Sequence, residues 1–541
     1  MSPERRVVAL VLPDLLCELA EAREPFRAEP VKRATEKTPF AVVWALEAPT
    51  GDAPQKRPSS ERPPTDDRLV AVSEAARRAG AHVGQRAVEA QAELAHLAVL
   101  EVSRTEVREA LERVAEVSLA FGAPVGIEMP DTVWVDITGA AHLWGGEREL
   151  AEELASRVRG LGVRSQLAVA SGPHLARAFA QWELLGPEGV CVVSERDTVE
   201  RFGKLPLCAL PLDAERLTWF SRLGLLEVRD LTRLPSSALA ARLGPLAGRV
   251  LGLLAGQDPA PLVAYEPPRV LREQSSWEEP VSGTEPLLFV LRGLLGRISA
   301  RLEGRGEAAQ ALEVRLFHDR AIAEHRGVAR EHELRFDLVT PLWREMELER
   351  VVRSRLERTE LAAPTLGVEV VVPQLSVAPT RQLELAEGAS QRDELPVLLA
   401  ELGADVGAER VGVLTWVDHH CPESQSRLEP VRKVRSFRGA ASSASPLRSA
   451  RGTEVFTRLL PEPLQLSAQL RLGETLAVGP RLYCIEQMRF VERLEGVGWW
   501  TSAPASRDYL RLWLRGPDGG LDALVFVDRA TGKRYLQAFA D

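Results

Sequence analysis

The chain has 541 residues, of which 45% are hydrophobic and 27% are charged, and its formal net charge at pH 7 is −9. This length predicts roughly three to five domains. The acidic balance argues against a protein that binds DNA over its whole surface, so any DNA contact is local or assisted by a partner.

The five cysteines include no C-x-x-C pair, which argues against a disulfide framework or a structural zinc site and indicates a reducing, cytoplasmic location. Val7–Val11 is apolar and rich in β-branched residues, which predicts a buried strand. Pro13 and Asp14 interrupt this apolar start, so we expect a strand and a helix rather than a signal peptide. No apolar run reaches the roughly 18 residues of a membrane span. Residues 47–68, rich in Pro, Asp and Arg, predict a mobile loop.

From Leu97 onwards an α/β pattern predicts strand, helix, two strands, helix and strand, which is the ferredoxin-like order. A tight turn at Pro130-Asp131 joins the two central strands. The predicted elements are a strand at Leu97–Val102, a helix at Thr105–Phe121, strands at Gly126–Met129 and Val133–Ile137, a helix at Glu147–Leu161, a strand at Gln166–Ala170 and a helix at Pro173–Trp182.

Short helices are predicted over 205–263, and a second α/β pattern follows over 269–378. Another helix is predicted at Glu394–Gly407. Residues 427–452 are rich in Arg, Ser, Ala and Gly, which is typical of a linker. From about Thr453 onwards, short strands and aromatic turns predict a small β-barrel or sandwich.

Several segments form an ordered set along the chain: 70–84 and 88–90, then 134–139, 143–147, 168–170 and 175–177, and finally 223–225 with 243–244. Taken in this order, they resemble the fingers, the palm and the thumb of the Y-family DNA polymerases, and the resemblance extends over residues 5–380. It implies an α+β multidomain fold with a right-hand architecture. That architecture has a ferredoxin-like palm, small fingers, a helix-hairpin-helix thumb and an α/β little finger, here followed by a small C-terminal β-rich domain.

The expected domain boundaries follow from this resemblance and from the composition of the chain. They are the palm at 1–28 and 95–198, the fingers at 29–94, the thumb at 199–266, the little finger at 267–380, a clamp-peptide and linking segment at 381–426, a basic linker at 427–452, and a C-terminal β-rich partner-binding domain at 453–541.

The metal site is where the sequence departs from the family. Polymerases hold two metal ions about 4 Å apart with carboxylates, and the family has one Asp on the first strand and an Asp-Glu pair in the palm turn. Here the corresponding positions are Val11, Asp131 and Thr132, so one carboxylate of three remains. Asp14 lies an odd number of residues further on, which places it on the wrong face of a strand. We therefore expect no catalytic residues and no cofactor, with Mg²⁺ only if residual activity remains. An active low-fidelity polymerase with rearranged carboxylates is the alternative.

The fingers depart from the family in the same direction. Active members place a Tyr and an Arg, three residues apart, on the triphosphate, and these positions are Glu74 and Arg77 here. A carboxylate is repelled by a triphosphate, so the pair is at most a remnant of a nucleotide site. The aromatic residue that excludes ribonucleotides falls at Leu15 or Leu16.

The thumb retains more of the family pattern. The glycine turn of a helix-hairpin-helix exposes backbone N–H groups to a phosphate, and Gly224 and Gly244 fit that position. Both glycines also fit helix C-caps. The candidate phosphate contacts are Arg222, Arg229, Arg242 and Arg249.

A short peptide between the domains resembles the one by which bacterial polymerases dock on the sliding clamp. It places Gln382, Leu383 and Leu385 for clamp binding, with Ala386 where Phe or Trp is common. The resemblance implies an accessory protein of translesion synthesis, cytoplasmic and nucleoid-associated. Its implied partners are damaged or primer–template DNA, the sliding clamp, an error-prone replicative-class polymerase and a RecA-related protein, with no membrane.

Overall fold

The computed structural model describes residues 5–21, 39–45, 68–183, 189–378, 394–417, 419–430, 458–467, 469–478, 481–500, 504–516 and 519–540. The predicted clamp peptide lies outside the described residues, as do nearly all of the predicted loop at 47–68 and most of the predicted linker at 427–452. The chain divides into two compact units, Met1–Asp405 and Val406–Asp541.

Over the described residues, the first unit begins with four short strands and three short helices. They are β1 (Val7–Val11), α1 (Leu15–Glu21), β2 (Phe40–Trp44), β3 (Ala71–Val72), α2 (Glu74–Arg78), α3 (Ala87–Glu93) and β4 (Ala98–Val102). β2 pairs with β3 in antiparallel and with β4 in parallel orientation, which gives a three-stranded sheet in the order β3-β2-β4.

The palm elements follow in the chain. They are α4 (Arg104–Ser118), β5 (Val125–Glu128), β6 (Thr132–Asp136), α5 (Glu147–Gly160), β7 (Gln166–Ala170), α6 (Pro173–Trp182) and β8 (Val190–Val192). With β1 they form a five-stranded sheet in the order β5-β6-β1-β7-β8.

The ferredoxin-like palm is present, but one strand of the prediction was wrong. The strand near Leu97–Val102 was expected to open the unit, whereas β4 belongs to the small sheet and β1 is the first strand of the palm. β1, which lies within the predicted palm range 1–28, is hydrogen-bonded to β6 on one edge and to β7 on the other, so it is the central strand of the palm sheet. Local pattern around β4 does not reveal that a distant strand fills the first place.

The two faces of β1 contact different cores. Val8 and Leu10 pack in the core that includes α4 and α5. Ala9 and Val11 pack in a second core, with apolar residues of α6 and of the helices that follow. This double burial explains why β1 is a continuous apolar run rather than an alternating one.

The thumb consists of short helices. They are α7 (Glu195–Gly203), α8 (Ala214–Arg222), α9 (Val228–Leu231), α10 (Ser236–Leu243) and α11 (Ala247–Leu254). By length and composition, Ser236–Leu254 is apolar enough for a membrane span. A 3-10 turn at Gly244–Leu246 divides it into two eight-residue helices. Each is only about 12 Å long, against about 30 Å of bilayer hydrocarbon.

The little finger, which completes the first unit, consists of a β-sheet with helices packed on one face. Its elements are β9 (Leu271–Val281), α12 (Thr284–Arg305), β10 (Glu307–His318), α13 (Arg320–Arg326), β11 (Glu331–Leu342), α14 (Glu345–Leu356), β12 (Thr365–Val377) and, after a gap, α15 (Glu394–Val406). The sheet is antiparallel in the order β11-β10-β12-β9, and its apolar face packs on α12 and α14.

A buried ion cluster joins the little finger to the palm. Glu116 of α4 and Glu273 of β9 have fully buried side chains. The Arg301 guanidinium contacts both carboxylates at 2.8–3.0 Å. Arg113 and Arg297 also donate to Glu273, at 2.8 and 2.9 Å. The palm and little finger are therefore held together by charged groups that solvent does not reach.

The second unit is β-rich. Its elements are β13 (Gly412–Trp416), β14 (Ser426–Pro430), β15 (Arg458–Leu466), β16 (Thr475–Val478), β17 (Arg481–Val497), β18 (Ala505–Gly516), β19 (Gly519–Asp528) and β20 (Arg534–Ala540). β15–β20 form one antiparallel sheet in the order β15-β20-β19-β18-β17-β16, rather than the predicted barrel or sandwich. The α+β multidomain fold class is confirmed.

Candidate functional site

The palm turn brings together the three positions that the resemblance aligns with the family's metal site. Val11 on β1 lies opposite Thr132 on β6, and Asp131 immediately precedes β6. The backbone N–H of Leu12 donates to the carbonyl of Asp131 at 2.8 Å, which fixes the turn against the end of β1. Val11 and Thr132 are 1% and 0% exposed. The position that should supply a carboxylate from β1 is thus a buried hydrocarbon side chain.

The remaining carboxylate is engaged by other groups of the chain. Arg177 of α6 donates to Asp131 at 3.0 Å, and its other terminal nitrogen lies 3.3 Å from Glu128. The hydroxyl of Thr132 also donates to Asp131, at 2.7 Å. A guanidinium therefore supplies the positive charge that a metal ion would otherwise supply beside Asp131.

These residues do not fit a two-metal site. Mg²⁺ requires oxygen ligands in near-octahedral geometry, and Val11 offers none. Within the described ranges of the chain, no group of three or more His, Cys, Asp or Glu residues could hold a metal ion. Sequence reasoning missed Arg177 as a site residue, although it lies in a segment that carries the family resemblance.

The predicted fingers remnant forms an exposed ion pair. Glu74 opens α2, and its carboxylate lies 3.3 Å from Arg77 and 3.0 Å from Arg78. All three side chains are more than half exposed, so these pairs contribute little to stability. Glu74 neutralises the two arginines that would otherwise be available to a triphosphate.

A shallow basic pocket of about 300 Å³ lies beside the palm turn. Arg104, Thr105 and Arg108 line it from the first turns of α4, and Met129 lines it from the palm turn. The Arg104 guanidinium lies 4.8 Å over the ring of Trp44. Sequence reasoning did not single out these arginines, because they read as ordinary exposed helix positions.

In the first thumb hairpin, which joins α8 to α9, the backbone N–H groups of the turn donate to carbonyls of the preceding helix. Gly224 has φ +77°, and its N–H donates to the carbonyl of Ser221, while the N–H of Leu225 donates to that of Phe220. This is a helix C-cap, the second of the two interpretations that the sequence left open. The donors of this turn are already engaged within the helix.

An internal carboxylate accepts the next two N–H groups of the hairpin. Asp230 accepts hydrogen bonds from the N–H groups of Leu226 and Glu227, both at 3.0 Å. These backbone donors lower the pKa of Asp230. The carboxylate occupies the position where an external phosphate would accept the same bonds.

Among the predicted thumb residues, the structure brings Arg222 and Arg242 together. They line one pocket of about 420 Å³ with Trp219, and the Arg242 guanidinium lies 4.4 Å over the Trp219 ring. Arg229 instead pairs with Glu227 at 2.5 Å. Gly244 has φ +59° and caps α10, and Arg249 lies exposed on α11.

Comparison with known proteins supports the sequence resemblance. Residues 33–181 match the impB/mucB/samB family. Protein ImuB of Caulobacter vibrioides is 29% identical over 393 residues, which cover 71% of this chain and 82% of that protein. The chain is therefore similar to Protein ImuB over most of its length and to the impB/mucB/samB family over residues 33–181.

One further protein and two solved structures also show similarity to this chain. DNA polymerase IV 2 of Mesorhizobium japonicum is 28% identical over 192 residues, 34% of this chain and 45% of that protein. The insertion ternary complex of Dbh DNA polymerase aligns with 68% of this chain and 98% of its own, at 12% identity and a TM-score of 0.38. DinB from Sulfolobus solfataricus aligns with 69% of this chain and 100% of its own, with the same identity and TM-score.

The exposed face of the little-finger sheet carries mutually paired charges. Arg315 lies 3.0 Å from Glu313 and 3.3 Å from Glu369. Arg272 and Arg335 pair with the same two carboxylates, each at 3.3 Å. These arginines would have to break their salt bridges with the carboxylates before they contacted phosphate.

The predicted clamp residues Gln382, Leu383 and Leu385 lie outside the described residues.

Proposed function

We propose that this chain is a non-catalytic accessory protein of DNA-damage-induced mutagenesis and translesion synthesis. It recruits an error-prone replicative-class polymerase to the sliding clamp on damaged DNA. Similarity to Protein ImuB and the impB/mucB/samB match support the broader role of a polymerase-like protein that acts in the response to DNA damage. The salt bridge between Asp131 and Arg177, beside the buried Val11, is the observation that supports the lack of polymerase chemistry.

The electrostatics of the palm turn support this proposal. Two metal ions would need several carboxylate oxygens within a few ångströms of one another. Moving Asp131 from Arg177 onto a divalent cation would leave the guanidinium next to that cation, and two positive charges about 4 Å apart repel strongly in a partly buried site. The hydrocarbon of Val11 cannot offset that repulsion.

The proposed partners follow from the chain's segments. The clamp peptide around Gln382 would contact the sliding clamp, the thumb would contact DNA, and the β-rich second unit is the candidate surface for partner proteins. An error-prone replicative-class polymerase and an ImuA-like, RecA-related protein are the proposed protein partners. An SOS-regulated, cytoplasmic and nucleoid-associated protein is consistent with these partners.

Primer extension by the purified full chain tests the non-catalytic part. We expect no nucleotide incorporation with Mg²⁺ or Mn²⁺ on a primer–template that an active polymerase IV extends in the same reaction. The physical reason is that Asp131 alone cannot hold two metal ions. Extension by the wild type that disappears in the Asp131→Ala variant would instead establish the alternative, an active polymerase with rearranged carboxylates.

Clamp capture tests the recruitment part. The double variant Gln382→Ala, Leu385→Ala removes the polar anchor and one apolar anchor of the peptide, and we expect clamp affinity to fall by about tenfold or more. Ala386→Phe should tighten binding, because an aromatic side chain would fill the apolar pocket. Glu387→Ala in the same segment is the control and should change little. Unchanged clamp capture by the double variant would remove the peptide from the proposal.

A further inference from the structure

The thumb carries an aromatic pocket that the polymerase resemblance does not assign. Trp219 and Arg222 of α8 and Arg242 of α10 line it, together with Ala214, Glu215 and Thr218. We refer to these six residues as the thumb pocket. It is an open depression of about 420 Å³ on the protein surface.

A rigid stack forms one wall of the thumb pocket. The Arg242 guanidinium lies over the Trp219 ring at 4.4 Å. Trp219 packs edge-on against Phe220, with ring centroids 5.1 Å apart, and Phe220 is fully buried. The indole is 37% exposed although its neighbour anchors it. A fixed and partly exposed π-surface of this kind is suited to stacking on another planar group.

The two arginines of the thumb pocket differ from their neighbours in charge pairing. On the same helices and turns, Arg216 pairs with Asp213, Arg229 with Glu227 and Arg233 with Asp230. Within the part of the chain that the structure describes, neither Arg222 nor Arg242 has a carboxylate within salt-bridge distance. Glu215 lines the same pocket but forms no salt bridge with either arginine, so the pocket has two cations to one carboxylate. Two cations of this kind, beside an aromatic ring, match a ligand that is both planar and anionic.

The state of the first hairpin favours this pocket over the turn as the site of nucleic-acid contact. Asp230 accepts the N–H groups of Leu226 and Glu227, so the turn already holds an anion. Phosphate binding there would require displacing a carboxylate that is covalently part of the chain. No such competitor has to be displaced at Arg222 and Arg242.

We propose that the thumb pocket binds an unpaired nucleotide of single-stranded DNA. The base stacks against the layer formed by Arg242 and Trp219, and Arg222 contacts the adjacent phosphate. Bases in a duplex are stacked on one another, so only an unpaired base can place its face on a protein ring. The inference rests on the DNA role in the proposed function and specifies which form of DNA the thumb contacts.

Oligonucleotide binding by the full chain tests this inference. Fluorescence anisotropy would follow a labelled oligothymidylate of about 20 nucleotides, which is longer than the footprint of most single-strand sites. We expect Trp219→Ala to weaken binding by about tenfold or more, the size of one lost base stack. Trp219→Phe keeps an aromatic ring, so its affinity for the oligonucleotide should fall much less. Trp182→Ala, which removes an exposed tryptophan of α6, is the matched control and should bind as the wild type does.

Salt dependence separates the role of charge from that of stacking. Arg222→Gln should reduce the slope of log affinity against log salt by about 0.7, the value for one phosphate contact on a single strand. Arg196→Gln, at an exposed position of α7, should leave the slope unchanged. A blunt duplex of the same length should be insensitive to Trp219→Ala.

Four outcomes would overturn the inference. The first is a wild type that does not bind the oligonucleotide, and the second is a Trp219→Ala variant that binds it normally. The third is a Trp219→Ala variant that loses equal affinity for single-stranded and duplex DNA. The fourth is a Trp219→Ala variant that loses binding to protein partners but keeps its affinity for DNA. The last would make the thumb pocket a protein-docking surface. Clamp capture through Gln382 does not involve Trp219, so the proposed function is judged separately by that measurement.

Discussion

Replacing Glu273 by Ala is expected to lower the free energy of unfolding of the first unit by about 3–5 kcal/mol, the usual cost of removing one partner from a buried ion pair. The Glu273 side chain is fully buried and accepts hydrogen bonds from Arg113, Arg297 and Arg301. Without it, Arg301, whose side chain is 6% exposed, keeps one carboxylate, that of Glu116, and the backbone carbonyl of Arg272. The measurement is the thermal or urea-induced transition of the full chain.

The acid dependence of this effect has a defined sign. Burial alone would raise the pKa of Glu273, but the three guanidiniums, Arg113 first, outweigh it and hold the pKa below its ordinary value of 4.5. A depressed folded-state pKa stabilises the protein above that ordinary value, and the contribution is lost as pH falls through the folded pKa. The difference in the free energy of unfolding between the wild type and Glu273→Ala should therefore become smaller at acid pH.

Two controls make the Glu273 result specific. Glu279→Ala, an exposed position on the same strand β9, should change stability by less than about 0.5 kcal/mol. Limited proteolysis of the segment between thumb and little finger should accelerate in Glu273→Ala only. The reason is that Arg301 bridges Glu273 to Glu116, and Glu116 accepts the hydrogen bond of the Tyr265 hydroxyl, at 2.9 Å, that fixes this segment. Equal stability of the two alanine variants would contradict a structural role for the cluster.

The cluster also shows where prediction from sequence ends. An Arg stripe at 297, 301 and 305 has the spacing of one helix face, but such a stripe usually faces solvent. Glu116 and Arg301 are 185 residues apart in the sequence, and only the docking of α12 on α4 brings them together. Gly304 permits that approach, since a Cβ there would lie 2.2 Å from the carbonyl oxygen of Glu116. The local sequence pattern therefore predicts the two helices but not the contact between them.

The palm turn shows the same division on a smaller scale. That Val11 and Thr132 carry no carboxylate could be read from the sequence, because it depends only on which residue types occupy the positions that the resemblance aligns with the family's metal ligands. The fate of Asp131 could not, since its partner Arg177 lies 46 residues away on α6. The sequence likewise left the interpretation of Gly224 open. The C-cap and the carboxylate of Asp230 depend on backbone geometry that residue spacing does not specify.

Restoring a carboxylate on β1 is expected to destabilise the protein without restoring polymerase activity. Val11 is 1% exposed and packs in the core on the α6 side of the palm sheet. Val11→Asp would place a charge there, and we expect the free energy of unfolding to fall by about 3 kcal/mol or more. Val11→Ala removes packing without adding charge and should cost less. The thermal transition of the two variants measures the difference.

Catalysis should remain absent even where a carboxylate-restored variant folds. In the double variant Val11→Asp, Thr132→Glu the three family carboxylates are present, but Arg177 still lies 3.0 Å from Asp131. The guanidinium competes with a divalent cation for the same oxygens, so primer extension should stay undetectable with Mg²⁺. Only the further change Arg177→Ala removes that competitor. Extension by the double variant would contradict the assignment of Arg177 as the group that closes the site. Extension that appears only in the triple variant would instead attribute the loss of activity to Val11, Thr132 and Arg177 together.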